Sequence, residues 1–243
     1  MNVEQINMDK KIAYSDVKNF FDSRACDAQG VNSTMLQKDP NIASERDMAE
    51  KEILLSLTYD VQVNDVLDLG CGNGRLADLF KNVENYVGVD FSENLVKLAS
   101  ERELGTQYKF YVSYVTELHK IENICETQYD FIVISGLLIY LNDEDVSKLI
   151  QQILTLCNEE CRIYLREPVS VLNEKLSLID HYSQELGTYY NAVYRTEAEL
   201  LNFLNPLIVN GFKVAKRDYM YKDLKLNNRA ETIQKYFYLE RIR

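Results

Sequence analysis

The 243-residue sequence has no run of about 18 apolar residues, so a membrane-spanning helix is excluded. Its opening stretch, MNVEQINMDKK, has no apolar core, and no signal peptide is expected. Basic residues are scarce: 27 Lys plus Arg stand against 38 Asp plus Glu, a formal charge of -11. Such a balance leaves no global electrostatic footprint for nucleic acid or an anionic membrane, and it favours a small-molecule partner. Histidine is represented only by His119 and His181, and no carboxylates cluster at a ligand spacing, so no metal site is visible. The five cysteines are odd in number and form neither a disulfide framework nor CxxC, which fits a reducing compartment and a cytoplasmic address. Internal repeats, low-complexity stretches and the GxGxxG dinucleotide fingerprint are all missing.

At 46% hydrophobic content the chain can build one large α/β core with appendages. The stretch VLDLGCGNG, Val66 to Gly74, is its most informative part. Val66, Leu67 and Leu69 form an apolar run suited to a strand covered on both faces. Gly70, Gly72 and Gly74 then let the backbone turn tightly and approach a ligand. Leu76, Leu79, Phe80 and Val83 follow at helical spacing, predicting a helix near 74–82 whose N-terminus meets the ligand. The DxGxGxG spacing, with Asp68 ahead of the glycines, favours a cationic, amino-acid-bearing nucleoside over a pyrophosphate.

Strand and helix patterns then alternate, with strands near 64–69, 85–90, 108–113, 129–135 and 161–167 and helices near 93–104 and 143–157. The alternation predicts a parallel, doubly wound sheet. Ahead of it, Tyr14, Val17, Phe20 and Phe21 suggest a short amphipathic helix. A second helix is expected from Pro40, with Ile42, Ala49, Ile53 and Leu57 on its apolar face and Arg46 on board. Residues 1–58 are thus expected to form a helical lid. An excess of chain at 169–196 reads as a functional insertion, and a helix from Thr196 or Glu197 is expected to stop by Pro206. Two final strands, from Gly211 and Thr232, flank a polar loop whose residues 222–225 read as solvated turn.

With DLGCGNG and YVGVDFS, the sequence resembles the class I S-adenosylmethionine-dependent methyltransferases over roughly residues 60–242. The resemblance implies a Rossmann-like seven-stranded sheet, mostly parallel with the last strand antiparallel, in a domain spanning 59–243. Residues 169–196 would be a cap inserted after the fifth strand. The implied cofactor is S-adenosylmethionine, with S-adenosylhomocysteine as product. Asp90 would accept hydrogen bonds from the ribose hydroxyls. Ser135 and Gly136 would line the cofactor, together with Arg46, Asp68, Gly70, Cys71, Gly72, Phe91, Tyr114 and Val115. Where many members carry an acidic residue for the adenine amino group, this chain has Ser113 and Tyr114. Cys71 reads as a small packing group within the turn.

Methyl transfer needs mainly alignment, with a base where the nucleophile must lose a proton. Candidate catalytic groups are His181, Glu167 and Tyr190; candidate acceptor-binding groups are Tyr14, Tyr140, Arg166, Tyr194 and Arg195. Each has a plainer alternative. His181 can be a surface histidine beside Asp180, Glu167 can pair with Arg166 or Arg195, and Arg195 can pair with Glu197 or Glu199. The expected acceptor is an O or N of a small polar or anionic metabolite, and resemblance alone suggests a carbohydrate precursor of a bacterial surface polysaccharide. The expected assembly is a monomer or homodimer. A protein or peptide N-methyltransferase and a catalytically silent S-adenosylmethionine-binding module remain alternatives, whereas the glycine spacing disfavours a dehydrogenase.

Overall fold

The computed structural model describes residues 10–27, 33–37, 39–184 and 186–242. Two helices, α1 (Tyr14–Asp27) and α2 (Pro40–Thr58), precede the first strand. Asp39 caps α2 by accepting from the Asn41 N–H, and Pro40 supplies the fixed φ of the first turn. The core then runs β1 (Asp65–Leu69), β2 (Asn85–Asp90), α3 (Glu93–Ser100), β3 (Tyr108–Val112), α4 (Glu122–Cys125), β4 (Tyr129–Ser135), α5 (Asp143–Leu156) and β5 (Cys157–Ser170). A hairpin of β6 (Leu176–Ser183) and β7 (Thr188–Tyr194) follows, then α6 (Glu197–Val209), β8 (Lys213–Tyr219) and β9 (Thr232–Arg241). No described helix is long and apolar enough to cross a membrane.

Seven strands form one sheet in the order β3-β2-β1-β4-β5-β9-β8. The first five pair in parallel, while β9 lies antiparallel between β5 and β8. The expected doubly wound sheet with an antiparallel last strand is therefore present. Strand order reverses between β1 and β4, and the crevice at their carboxyl ends is where open α/β sheets take ligands. Leu67 and Leu69 of β1 belong to the core shared with α5 and α6, whereas Val66 joins the aromatic layer of Tyr86, Phe131 and Tyr164 with Leu54 of α2. Sheet periodicity sends Asp68 to that second face, toward α2.

Several expectations are corrected. No α-helix follows the glycine turn; Ala77–Leu79 is one 3-10 turn, although Leu76, Phe80 and Val83 are buried as their spacing implied. The segment is instead held by hydrogen bonds to the third residue back, from the Ala77, Leu79 and Phe80 N–H groups to Gly74 O, Leu76 O and Ala77 O, each at 3.1 Å, which is the 3-10 pattern. On α2 the fully buried positions are Ala43, Arg46, Asp47, Glu50 and Leu54, so its inward face is charged, with Ala49, Ile53 and Leu57 only partly buried beside it. Helix α6 continues through Pro206 to Val209, because the Thr196–Glu199 capping box fixes its start and Leu207 is buried in the core beyond the proline.

The insertion after β5 is the β6–β7 hairpin, which pairs Leu176 with Tyr194 and His181 with Tyr190. Its apolar face packs with Val17 and Phe21 of α1 and with Ile139 and Tyr140 from the turn after β4. The hairpin and α1 thus meet above the carboxyl ends of the strands.

Candidate active site

One cleft lies at those carboxyl ends, with Asp68, Gly70, Cys71 and Gly72 after β1, Asp90 and Phe91 after β2, Tyr114 and Val115 after β3, and Ser135 and Gly136 after β4. Gly70, Gly72 and Gly136 have φ of 73°, 55° and 66°, in the region where a side chain is strained. A Cβ on Gly72 would also stand 2.7 Å from Thr34 Cγ2. The turn is tied to β2, since the Gly70 and Cys71 N–H groups donate to Val89 O at 2.8 and 3.1 Å. Asp90 Oδ2 accepts from the Gly72 N–H and Oδ1 from the Ser92 N–H, both at 2.9 Å, which leaves lone pairs on both oxygens.

Burial dominates the acid-base character of this wall. It pushes Asp90 up to about 6 against the opposing Ser92 and Gly72 N–H groups, and Asp68 up to about 7 although the Tyr86 hydroxyl donates to it at 2.5 Å. It also pushes the Cys71 thiol up, which fits a neutral packing group. Phe91, Tyr114 and Tyr14 stand in sequence, with ring centroids 6.0 and 6.2 Å apart, and Tyr14 donates its hydroxyl to Asp145. All eleven candidate cofactor residues, Arg46 included, line this cleft.

The opposite wall is a charge network that the sequence did not disclose. Glu50 of α2 is fully buried and accepts from Arg75 Nη2 and the Ser135 hydroxyl, both at 2.5 Å, and from Arg166 Nε and Nη2 at 3.3 Å. Burial would raise its pKa, but Arg166 and Arg75 override that and hold it at about 2. Arg75 also donates to Asp47 at 2.9 Å, and Arg46 Nε donates to Leu226 O at 2.6 Å. Residues 222–225, expected to be solvated turn, are exposed, while Tyr221 and Asn228 on either side of them line the cleft, joined there by Thr232 and Gln234 of β9. Polar residues alternating with Ile233 were a usable signal for that second face.

Of the candidate acceptor residues, Tyr14, Tyr140, Arg166 and Tyr194 line the cleft, and Arg195 does not. Arg195 is buried, donating to Leu138 O and Leu141 O at 2.7 Å and to Asp143 Oδ1 at 2.9 and 2.7 Å, so its fork is occupied within the fold. The catalytic candidates His181, Glu167 and Tyr190 also lie off the cleft. Glu167 Oε1 accepts from the Leu137 and Leu138 N–H groups at 2.8 and 2.7 Å, while burial pushes its carboxyl up to about 7. His181 stacks edge-on against Tyr190 on the hairpin, and the Tyr190 hydroxyl meets that of Tyr194 at 3.2 Å. Burial raises the Tyr140 and Tyr194 phenols far above neutrality, so they donate hydrogen bonds and do not act as bases.

Residues 66–160 match a family model described as a methyltransferase domain. The sheet and cleft described above share their fold with solved S-adenosylmethionine-dependent methyltransferases. A stretch of 127 residues, 51% of this chain, is 30% identical to phosphoethanolamine N-methyltransferase 1 of Triticum aestivum, and it covers 25% of that protein. The chain thus spans about a quarter of the length of the curated relatives it matches. Among solved structures, phosphoethanolamine N-methyltransferase 1 of Haemonchus contortus, in complex with phosphoethanolamine and S-adenosylhomocysteine, superposes with a TM-score of 0.70 at 18% identity, covering 92% of this chain and 47% of that one. A Leishmania major S-adenosylmethionine-dependent methyltransferase gives 0.67 at 16% identity over 93% and 82%. Magnesium protoporphyrin IX methyltransferase from Synechocystis, with bound S-adenosylmethionine, gives 0.61 at 18% over 93% and 95%.

Proposed function

We propose that the protein transfers the methyl group of S-adenosylmethionine to a nitrogen or oxygen of a small polar metabolite. The observation that carries this reading is the row of Asp68, the glycine turn, Asp90, Tyr114 and Ser135 along the ends of four parallel strands, in a cleft that continues past β4 to β5 and β9. The residues fit the cofactor. Three glycines with positive φ open a cradle, and two buried carboxylates whose pKa values burial has raised favour a cationic, hydroxyl-rich occupant. Asp90 would hold the ribose, Phe91, Tyr114 and Val115 the adenine, and Arg46, Asp68 and Ser135 the amino-acid end. S-adenosylmethionine, when bound, supplies an electrophilic methyl carbon.

The chain's own contribution is alignment and the exclusion of water. No histidine lines the cleft among the described residues, and its buried phenols stay protonated, so the acceptor fits best as a nucleophile that arrives with a free lone pair. The wheat and nematode relatives named for phosphoethanolamine support a small amine acceptor, and sugar phosphates remain the oxygen-nucleophile counterpart. The five cysteines are unpaired in the fold, in keeping with a cytoplasmic setting.

Incubation with methyl-labelled S-adenosylmethionine and a panel of phosphoethanolamine, free amines, sugar phosphates, nucleotide sugars and hydroxy acids tests the reading. Label should enter one small-molecule class. Label in none of them, in protein that binds S-adenosylhomocysteine, would favour a silent binding module, and label in a peptide panel would favour protein methylation.

A further inference from the structure

Asp68 is buried on the cleft wall, and among the described residues its carboxylate accepts one hydrogen bond, from the Tyr86 hydroxyl to Oδ2 at 2.5 Å. Tyr86 is itself fully buried in β2 and does not line the cleft. The register explains how the two meet. Val66 pairs with Tyr86 and Asp68 with Gly88, so all four residues share one face of the sheet. Gly88 puts no side chain beside the carboxylate, and the phenol of Tyr86, the preceding residue on that face, reaches it. The ring is held independently of its hydroxyl, with its centroid 5.4, 5.8 and 5.9 Å from those of Tyr108, Phe80 and Phe110.

The charged groups acting on Asp68 are Arg75 in the turn after β1, Glu50 of α2 and Asp90 at the end of β2, and the buried Cys71 thiol of that turn is neutral. Two of the three are carboxylates. Arg75 is already engaged with Glu50 at 2.5 Å and Asp47 at 2.9 Å, and Glu50 also takes Arg166 of β5 at 3.3 Å. Arg46 of α2 lines the same cleft and donates to Leu226 O. On the β4 side the register partner of Asp68 is the apolar Val133. Burial pushes Asp68 up to about 7, and the Tyr86 hydroxyl is the strongest influence against that rise, ahead of Arg75.

We infer that Tyr86 is a positioning residue for the cofactor: its hydroxyl fixes Asp68 Oδ2 and so sets Oδ1 toward the α-ammonium group of S-adenosylmethionine. The inference rests on the methyltransferase reading and adds to it a residue that never touches the ligand. A donor to a carboxylate stabilises the charged form, and in a buried site that bond is worth more than at the surface. Without it, Asp68 would hold its proton to higher pH, and its ion pair with the ammonium group would form only there.

The experiment compares S-adenosylhomocysteine with methylthioadenosine, which keeps the adenosine and the sulfur but lacks the amino-acid end. Wild type should bind S-adenosylhomocysteine more tightly. Tyr86→Phe keeps the packed ring and loses the donor, so it should weaken S-adenosylhomocysteine about tenfold near pH 7 and leave methylthioadenosine within about twofold. The loss should shrink as pH rises to about 8.5, where Asp68 ionises without the hydroxyl. Tyr86→fluorotyrosine preserves the shape with a stronger donor, so it should move the pH midpoint of S-adenosylhomocysteine binding downward, and it carries the test should Tyr86→Phe not fold. Equal weakening of both ligands by Tyr86→Phe, a loss that does not change with pH, or a midpoint unmoved by fluorotyrosine would overturn the role of Tyr86 and leave the methyltransferase reading standing. Wild type that binds neither ligand would overturn both.

Discussion

Asp90 has a demanding position. Its two oxygens organise the Gly72 and Ser92 N–H groups while facing the cleft, so one carboxylate shapes the turn and presents acceptors to a ligand. Asp90→Ala should weaken S-adenosylhomocysteine binding by about 1–3 kcal/mol, because the ligand hydroxyls lose a charge-assisted acceptor. Unchanged affinity by titration calorimetry would detach Asp90 from the ribose. Gly72 supports a sharper expectation. At φ 55° and with Thr34 Cγ2 at 2.7 Å from a built Cβ, Gly72→Ala must strain the backbone and displace a neighbour together. A stability loss of about 1–3 kcal/mol should appear in chemical denaturation even without ligand. A fully stable Gly72→Ala with normal cofactor affinity would mean the turn tolerates a side chain that its geometry forbids.

The turn after β4 is held from both sides. Glu167 takes two of its N–H groups and Arg195 two of its carbonyls, and between them the turn presents Leu137, Ile139 and Tyr140 to the cleft. Arg195→Ala should cost about 2–4 kcal/mol of stability, since it strips charged donors from two buried carbonyls. Arg195→Lys should recover only part of that loss, a single ammonium being unable to span both carbonyls and Asp143. A thermal scan showing both variants as stable as wild type would refute the clamp. These residues also show where sequence reading fails. Alternation along β5 sends Arg166 and Pro168 to the cleft and Glu167 to the other side, and the same rule separates Tyr194 from Arg195. The parity of a strand is visible in sequence, but which parity faces the ligand depends on the layer each face packs against. That Asp68, the glycines and Asp90 would share one cleft was legible because they are set by local chain geometry next to apolar strands. Glu50 was not, because its partners Arg75, Ser135 and Arg166 converge only after the sheet has formed.

Across the whole molecule, the buried carboxylates divide by neighbour. Glu50, ringed by arginines, is held at about 2, whereas burial pushes Asp68 and Glu167 to about 7 and Asp90 to about 6 from ordinary values of 3.8, 4.5 and 3.8. The signs oppose each other. Glu50 contributes stability that is present above its unfolded value of 4.5 and lost as pH falls toward 2. The three raised groups bind protons more tightly in the folded than in the unfolded chain, so ligand-free stability should decline as pH climbs from about 4.5 toward 7. Ligand binding should run the other way. On the proposed reading, Asp90 would accept ribose hydroxyls best when ionised and ionised Asp68 would favour a cationic occupant, so affinity for S-adenosylmethionine should rise between about pH 5.5 and 7.5 with uptake of ligand coupled to proton release. Calorimetry in buffers of different ionisation enthalpy measures both quantities. Asp90→Asn should flatten part of the rise, because its amide cannot titrate. An affinity independent of pH over that range in the wild type would show that neither carboxylate changes charge when the cleft fills.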